Sequence, residues 1–423
     1  MFIVLAILAF GLIIAVHELG HFIAAKIMGV KVNEFAIGMG PKIFSKQGKE
    51  TLYSLRLFPF GGFCAMDDDD VSVGEGDNAL SKEDEEDDNS ADEYNPRSFA
   101  NQKRWRRIVI LAAGSLANFI MAFIIVLVFT AGNTSFTGTT ATYVTDNLPS
   151  IGPAEIMPGD RFIELNGERL RYYNDINLFR TLHSGRPLIF TIDRNGELIT
   201  FESRPQGLHR LVIVGDYAYR FIYRYDNSEF IRYERIPDEN QENVIDAINN
   251  HDEDAIYIPV GRYVIEYNEI DNNFVETIRF SFYQMYDFVR MIRISIVMLI
   301  DGAVGVDDFA GPVGIVDAMN TMGQQAVAEG AGIGAGIGNI IFLTAFIGVN
   351  VAVVNLLPIP ALDGGRILFI FITFIVEKIT RKKLNPKYEA YINTGAFILL
   401  IGLMIFILYN DIMRLVSGGG ILG

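Results

Sequence analysis

Residues Phe2 to Ala25 form an apolar run, "FIVLAILAFGLIIAVHELGHFIAA", interrupted by only three ionisable side chains, His17, Glu18 and His21. A run of this length is what an α-helix needs to cross a hydrocarbon layer about 30 Å thick. Ionisable groups are costly there: on insertion scales a charged side chain at the helix centre costs about 2.5 to 3.5 kcal/mol. Two plainer accounts compete, a soluble amphipathic helix with satisfied core histidines and a signal peptide. Signal peptides place basic residues ahead of a short apolar core, whereas no Lys or Arg precedes Lys26. The run is therefore expected to be a retained membrane span. His17 and His21 stand four apart, so on a helix their imidazoles share a face and can grip one tetrahedral metal, with Glu18 beside the open coordination position. A cation compensates its ligands, and the triplet becomes tolerable in lipid as a metal site.

The rest of the chain extends this picture. Of its 423 residues half are hydrophobic, and further apolar runs predict spans within 104–131, 338–376 and 390–416, beside the first at 1–28. The expected architecture is thus a polytopic α-helical membrane protein with four transmembrane helices and a substantial soluble part. Basic residues mark cytoplasmic flanks: Lys26 and Lys31 after the first span, Lys103 to Arg107 before the second, and "EKITRKKLNPK" between the third and fourth. The segment 131–150 has none, which places the large central region and both termini outside. The net charge of −16 is mostly local, because 67–93 alone carries fourteen acids and one lysine. That composition predicts a disordered, solvated cytoplasmic loop over 67–98 rather than a docking site. With Cys64 as the one cysteine, no intrachain disulfide is possible. No nucleic-acid partner is expected.

Between the second and third spans the pattern changes to strands. "PGDRFIELNGE" predicts a turn, a strand of period two and a tight Asn-Gly turn, and "LIFTIDRNGELITFE" a hairpin closed by Asn195-Gly196, with a short helix over 174–183 between them. This segment, 139–206, resembles a PDZ domain, whose groove takes an extended peptide by strand addition. It gives the expected fold class an extracytoplasmic, β-rich PDZ-like domain. Residues 207–273 predict an additional β-rich extension, and 274–337 an amphipathic interfacial helix followed by a "GPVGI" segment. His183, His209 and His251 have no ligand spacing and read as surface or structural residues. In 29–66, "TLYSLRLFPFGGFCA" predicts strand, turn and strand broken at Gly61-Gly62, with Gly38, Gly40 and Pro41 shaping its start.

A catalytic zinc takes three protein ligands and leaves one position for water. Positions 24 and 27, where a metzincin continues with glycine and histidine, are Ala24 and Ile27. The natural third ligand is Asp363, the acid in "NVAVVNLLPIPALDGGRILFIF", where Pro358 and Pro360 remove backbone donors and Gly364-Gly365 loosen the chain. HELGH in a first span with "NLLPIPALDGG" in a late one resembles the site-2 protease family of intramembrane zinc metalloproteases. "ILAAGSLANF", "FAGPVGI", "NDIMRL" and the PDZ-like insert point to its bacterial regulator-of-sigma-E protease type. The resemblance implies Zn2+ bound by His17, His21 and Asp363, Glu18 as general base, and Asn355 placing the substrate backbone or oxyanion. It also implies Asn118 near the site and a re-entrant β-hairpin around Gly61 and Gly62 whose edge pairs with an unwound substrate. Expected partners are the lipid bilayer and single-span membrane proteins such as anti-sigma factors or remnant signal peptides. The expected location is the bacterial inner membrane, with the active site near its cytoplasmic side. Two other classes compete: an intramembrane metal transporter, for which the internal repeats and several polar spans are missing, and a PDZ-type scaffold with an inert metal site, which has no need of Glu18.

Overall fold

The computed structural model describes residues 1–67, 95–144, 156–182, 188–203, 208–214, 217–223, 230–235, 256–259, 265–300, 311–381 and 386–416. Most of the acidic loop, together with His183 and His251, lies outside them. The chain divides into two compact units, one of residues 1–132 and 274–423 and one of 133–273.

The first unit is helical. Helix α1 (Phe2–Ile27) packs on α2 (Arg104–Ala131) with their backbones in close approach, since a Cβ on Gly20 would stand 2.3 Å from the Ala113 carbonyl oxygen. Small residues at such crossings are the usual means of association in lipid, where apolar burial gives helices no net attraction. Helices α5 (Pro312–Ala328) and α6 (Gly332–Leu356) repeat the device around Phe2, whose ring lies where Gly323 and Gly336 leave room. Helix α7 (Asp363–Thr380) follows a break, and α8 (Pro386–Val416) ends the described chain. Among the described residues, four helices are long and apolar enough to cross a membrane: Phe2–Ile27, Arg104–Ala131, Gly332–Leu356 and the stretch Tyr391–Met413 of α8. The expected third span, 338–376, is divided between α6 and α7.

Helix α4 (Phe274–Ile300), expected to lie at an interface, docks along α2 and α6. Phe288 and Ile292 are buried against Ala122, Val126, Ala345 and Val349, and the Ser281 and Thr130 hydroxyls meet at 2.9 Å. Arg290, on the apolar side in sequence, is buried and paired with Asp287 at 2.9 Å.

Two long strands, β1 (Val32–Gln47) and β2 (Leu52–Met66), form their own sheet, and each bends back. Ala36 therefore pairs with both Phe63 and Ser54, and Ile37 with both Gly62 and Leu55. The bends fall at Gly38, Gly40 and Gly61, all with φ between 82° and 90°, a region only glycine enters freely. The break expected inside 51–65 is thus a bend within one strand whose main partner is β1.

Among its described residues the second unit holds two sheets. In the first, the order is β12 (Ile265–Asp271), β3 (Ser135–Val144), β4 (Arg161–Leu165), β6 (Leu188–Arg194), β7 (Glu197–Ser203), with β5 (Glu168–Arg169) on β4 and α3 (Tyr173–Leu182) in the β5–β6 connection. Asn195 and Gly196 close β6–β7 with φ of 53° and 90°, as a primed two-residue turn requires. The second sheet has the order β10 (Phe230–Arg235), β9 (Tyr217–Tyr223), β8 (Leu208–Val214), β11 (Ile256–Pro259). His209 sits on β8. The extension read from 207 onward is therefore not all one element: its last strand, β12, joins the first sheet beside β3.

Candidate metal centre

Helix α1 brings His17 and His21 to one face, both 7% exposed, because the pair occupies the stripe that packs on α2. Asp363 comes from the first turn of α7. The approach of α7 to the end of α6 is close enough to need two glycines. A Cβ on Gly364 would lie 2.2 Å from the Leu357 carbonyl oxygen, and one on Gly365 2.2 Å from that of Ile359. Gly364 and Gly365 therefore let the chain fold tightly back; they do not loosen it, since both are helical without positive φ.

The three ligand atoms converge. His17 Nε2, His21 Nε2 and Asp363 Oδ2 are mutually 3.2 Å apart. A tetrahedral zinc bonded at about 2.0 to 2.1 Å holds its ligand atoms roughly 3.3 Å apart, so the triangle has the size such an ion needs. The donor set fits as well. His21 Nδ1 lies 2.9 Å from the Ile110 carbonyl and donates to it, which leaves the Nε2 lone pair facing inward. Two imidazole nitrogens and a carboxylate oxygen at this spacing repel one another unless positive charge lies among them. Among the described residues, these three are the group of His, Cys, Asp or Glu side chains able to share a metal.

Room for the imidazoles is made by α2. A Cβ on Gly114 would stand 2.4 Å from His21 Nε2 and 2.8 Å from His17 Cε1. Glu18 occupies the other side, against β2: its carboxylate takes a hydrogen bond from the Cys64 backbone, and a Cβ on Gly62 would lie 3.4 Å from its Cγ.

The family model described as peptidase family M50 matches residues 5–403. The chain belongs to peptidase family M50. Relatives match over nearly their whole length. A Clostridium perfringens protein, provisionally named a zinc metalloprotease, is 32% identical over 98% of this chain and 99% of its own. The zinc metalloprotease RasP of Bacillus licheniformis is 28% identical over 97% and 98%, and the regulator of sigma-W protease RasP of Bacillus subtilis 27% identical over 97% of each chain. This M50 peptidase is a zinc metalloprotease of the membrane.

The remaining expected residues of the M50 site lie at different depths around the triangle. Asn355, in the last turn of α6, has its Nδ2 3.4 Å from His17 Nε2. Gly61 and Gly62 are on β2 at its bend, next to Met39 and Glu18 respectively. Asn118 is fully buried one turn beyond Gly114, and neither its Oδ1 nor its Nδ2 has a partner among the described residues. Among the described residues no hydrogen bond links it to the ligand triangle; its backbone faces Gly348 of α6. Gly114 and the Ile110 carbonyl are contributors that the motif reading missed. The small-residue run "AAGS" was the available signal, but small residues in a span more often mark helix packing.

Proposed function

We propose that His17, His21 and Asp363 hold the catalytic zinc and that Glu18 is the general base of an intramembrane peptidase acting on single-span membrane proteins. The observation that carries this reading is the 3.2 Å triangle contributed by α1 and α7. When bound there, zinc lowers the pKa of water to about 7 and polarises a carbonyl oxygen. Glu18 accepts the proton of the attacking water and returns it to the amide nitrogen as the C–N bond breaks. Asn355 donates to the carbonyl oxygen as it gains negative charge. Asn118 takes the role of a substrate-positioning amide: its side chain is buried one turn along α2 from Gly114 with no partner among the described residues. An unwound substrate segment adds along β2 near Gly61 and Gly62, which brings its carbonyls past Glu18.

Residues 139–206, with β12 completing their sheet, act as a PDZ-like domain outside the cytoplasm. Support comes from β12 standing at a sheet edge beside α3, with the Tyr267 and Tyr173 rings 5.1 Å apart. The basic flanks of α2 and α7 support an inner-membrane orientation with the site near the cytoplasmic side. The name of the Bacillus subtilis relative supports anti-sigma factors as a substrate class. The test is cleavage of a single-span substrate co-expressed with the full chain. Glu18→Gln should lower cleavage by about 10²- to 10⁴-fold with zinc retained, and Asp363→Asn should lose cleavage with zinc binding weakened. Undiminished cleavage by the Glu18→Gln protein would contradict the mechanism.

A further inference from the structure

The Asp363 ligand hangs on an irregular stretch, Leu357 to Leu362, at a depth where each backbone N–H needs a partner. Pro358 and Pro360 have no N–H. Leu357 donates to Val354 at 3.0 Å, Ile359 to Leu357 at 2.7 Å, and Leu362 to Ile359 at 3.2 Å. The one N–H of the stretch served from another helix is that of Ala361, which donates to the Asn393 Oδ1 of α8 at 3.3 Å. Ala361 is also the residue with a left-handed backbone, φ 73°, a conformation a non-glycine keeps only where its surroundings impose it.

Asn393 is unusual on its own helix. Among the described side chains of α8 only Asn393 and Asp411 are buried, at 6% and 1% exposed. Asp411 accepts from the Gly311 and Gly314 N–H groups at 3.1 and 2.9 Å, away from the ligand loop at the start of α5. Among the described side chains, α8 thus has two buried polar pins, one at the ligand loop and one remote. Asn393 Nδ2 is buried with no partner among the described residues, so its Oδ1 is the atom in use.

We propose that Asn393 is a positioning residue for the third metal ligand: by accepting the Ala361 N–H it fixes the left-handed turn that aims Asp363 at His17 and His21. The proposal rests on the assignment of Asp363 as a ligand. It assigns α8, otherwise mostly exposed, a direct part in assembling the site.

The test measures zinc affinity by chelator competition, and the visible spectrum of the Co2+-substituted protein, on the purified full chain in detergent. Asn393→Ala and Asn393→Leu, the second an apolar residue suited to a span, should weaken zinc binding by about 10- to 100-fold and shift the cobalt bands. Asn393→Asp keeps the acceptor and should restore both readouts. Asp411→Ala, which removes the remote pin, should leave zinc affinity within about threefold of wild type, well short of the Asn393→Ala loss. Wild-type zinc affinity in Asn393→Ala, failure of Asn393→Asp to rescue, or an equal loss in Asp411→Ala would each overturn the proposal. Asp363→Asn is run alongside. If it too binds zinc normally, the ligand assignment itself fails; if it alone is weakened, only the role of Asn393 fails.

Discussion

Gly114 decides whether two imidazoles fit between α1 and α2. A methyl group there would overlap His21 Nε2 at 2.4 Å and His17 Cε1 at 2.8 Å. Gly114→Ala is expected to displace a ligand by tenths of an ångström to an ångström and to lower cleavage by about 10²-fold, while the thermal midpoint changes little. Zinc content and a melting curve on the same sample check this, and an active Gly114→Ala protein would show that the imidazoles have room to spare. His17, Glu18 and His21 were legible because helical spacing and their cost in lipid point the same way. Gly114 was not legible, since a glycine carries no chemistry of its own and its role depends on which helix lies across from it.

Two elements set the geometry beyond single residues. The break between α6 and α7 was legible from Pro358 and Pro360, but the reason for Gly364 and Gly365 required knowing that the chain turns back on its own carbonyls. Gly365→Ala forces a methyl toward the Ile359 carbonyl oxygen, 2.2 Å away, and is expected to cost about 1 to 3 kcal/mol of stability along with activity. Denaturation monitored together with cleavage measures both. In the second unit, the Asp160 carboxyl at the Pro158-Gly159-Asp160 turn is buried and bound by Arg194 Nε at 2.7 Å and Nη2 at 2.6 Å, and by the Met157 N–H at 2.8 Å. Burial alone drives this carboxyl upward, but the guanidinium and the N–H outweigh it and hold it below the usual carboxylate range. Its contribution to stability is therefore complete above the unfolded value of about 3.9 and is lost as pH falls through the folded value. Amide exchange in β4 and β6, corrected for intrinsic rates, should accelerate between pH 7 and pH 3 in the full chain. In Arg194→Met it should be fast at both. An unchanged pH profile in that variant would contradict the pairing. The hairpins of this unit were readable from Asn-Gly turns. The return of β12 to β3 was not, because pairing across more than a hundred residues leaves no local pattern.

At the scale of the molecule, the acidic stretch is expected to be a spacer, and its described ends limit how it can be removed. Asp67 accepts from Asn95 Nδ2 at 2.5 Å and from Asn33 Nδ2 at 3.2 Å, and its carbonyl accepts from the Phe99 N–H at 3.0 Å. Asp67 is therefore part of the framework below β1 and β2, and a deletion starting at residue 67 would damage it. Replacing 69–93 with a short Gly-Ser linker should keep cleavage within about twofold, because the two ends already meet and loop closure depends only weakly on length. A large loss in that variant would show a docking role. The central claim concerns the metal. Zinc K-edge X-ray absorption on the purified full chain tests it most directly: the account predicts two imidazole nitrogens and oxygen donors at about 2.0 to 2.2 Å with no sulfur at about 2.3 Å, and a changed oxygen shell in Asp363→Asn. A sulfur scatterer, or an Asp363→Asn spectrum identical to wild type, would contradict it.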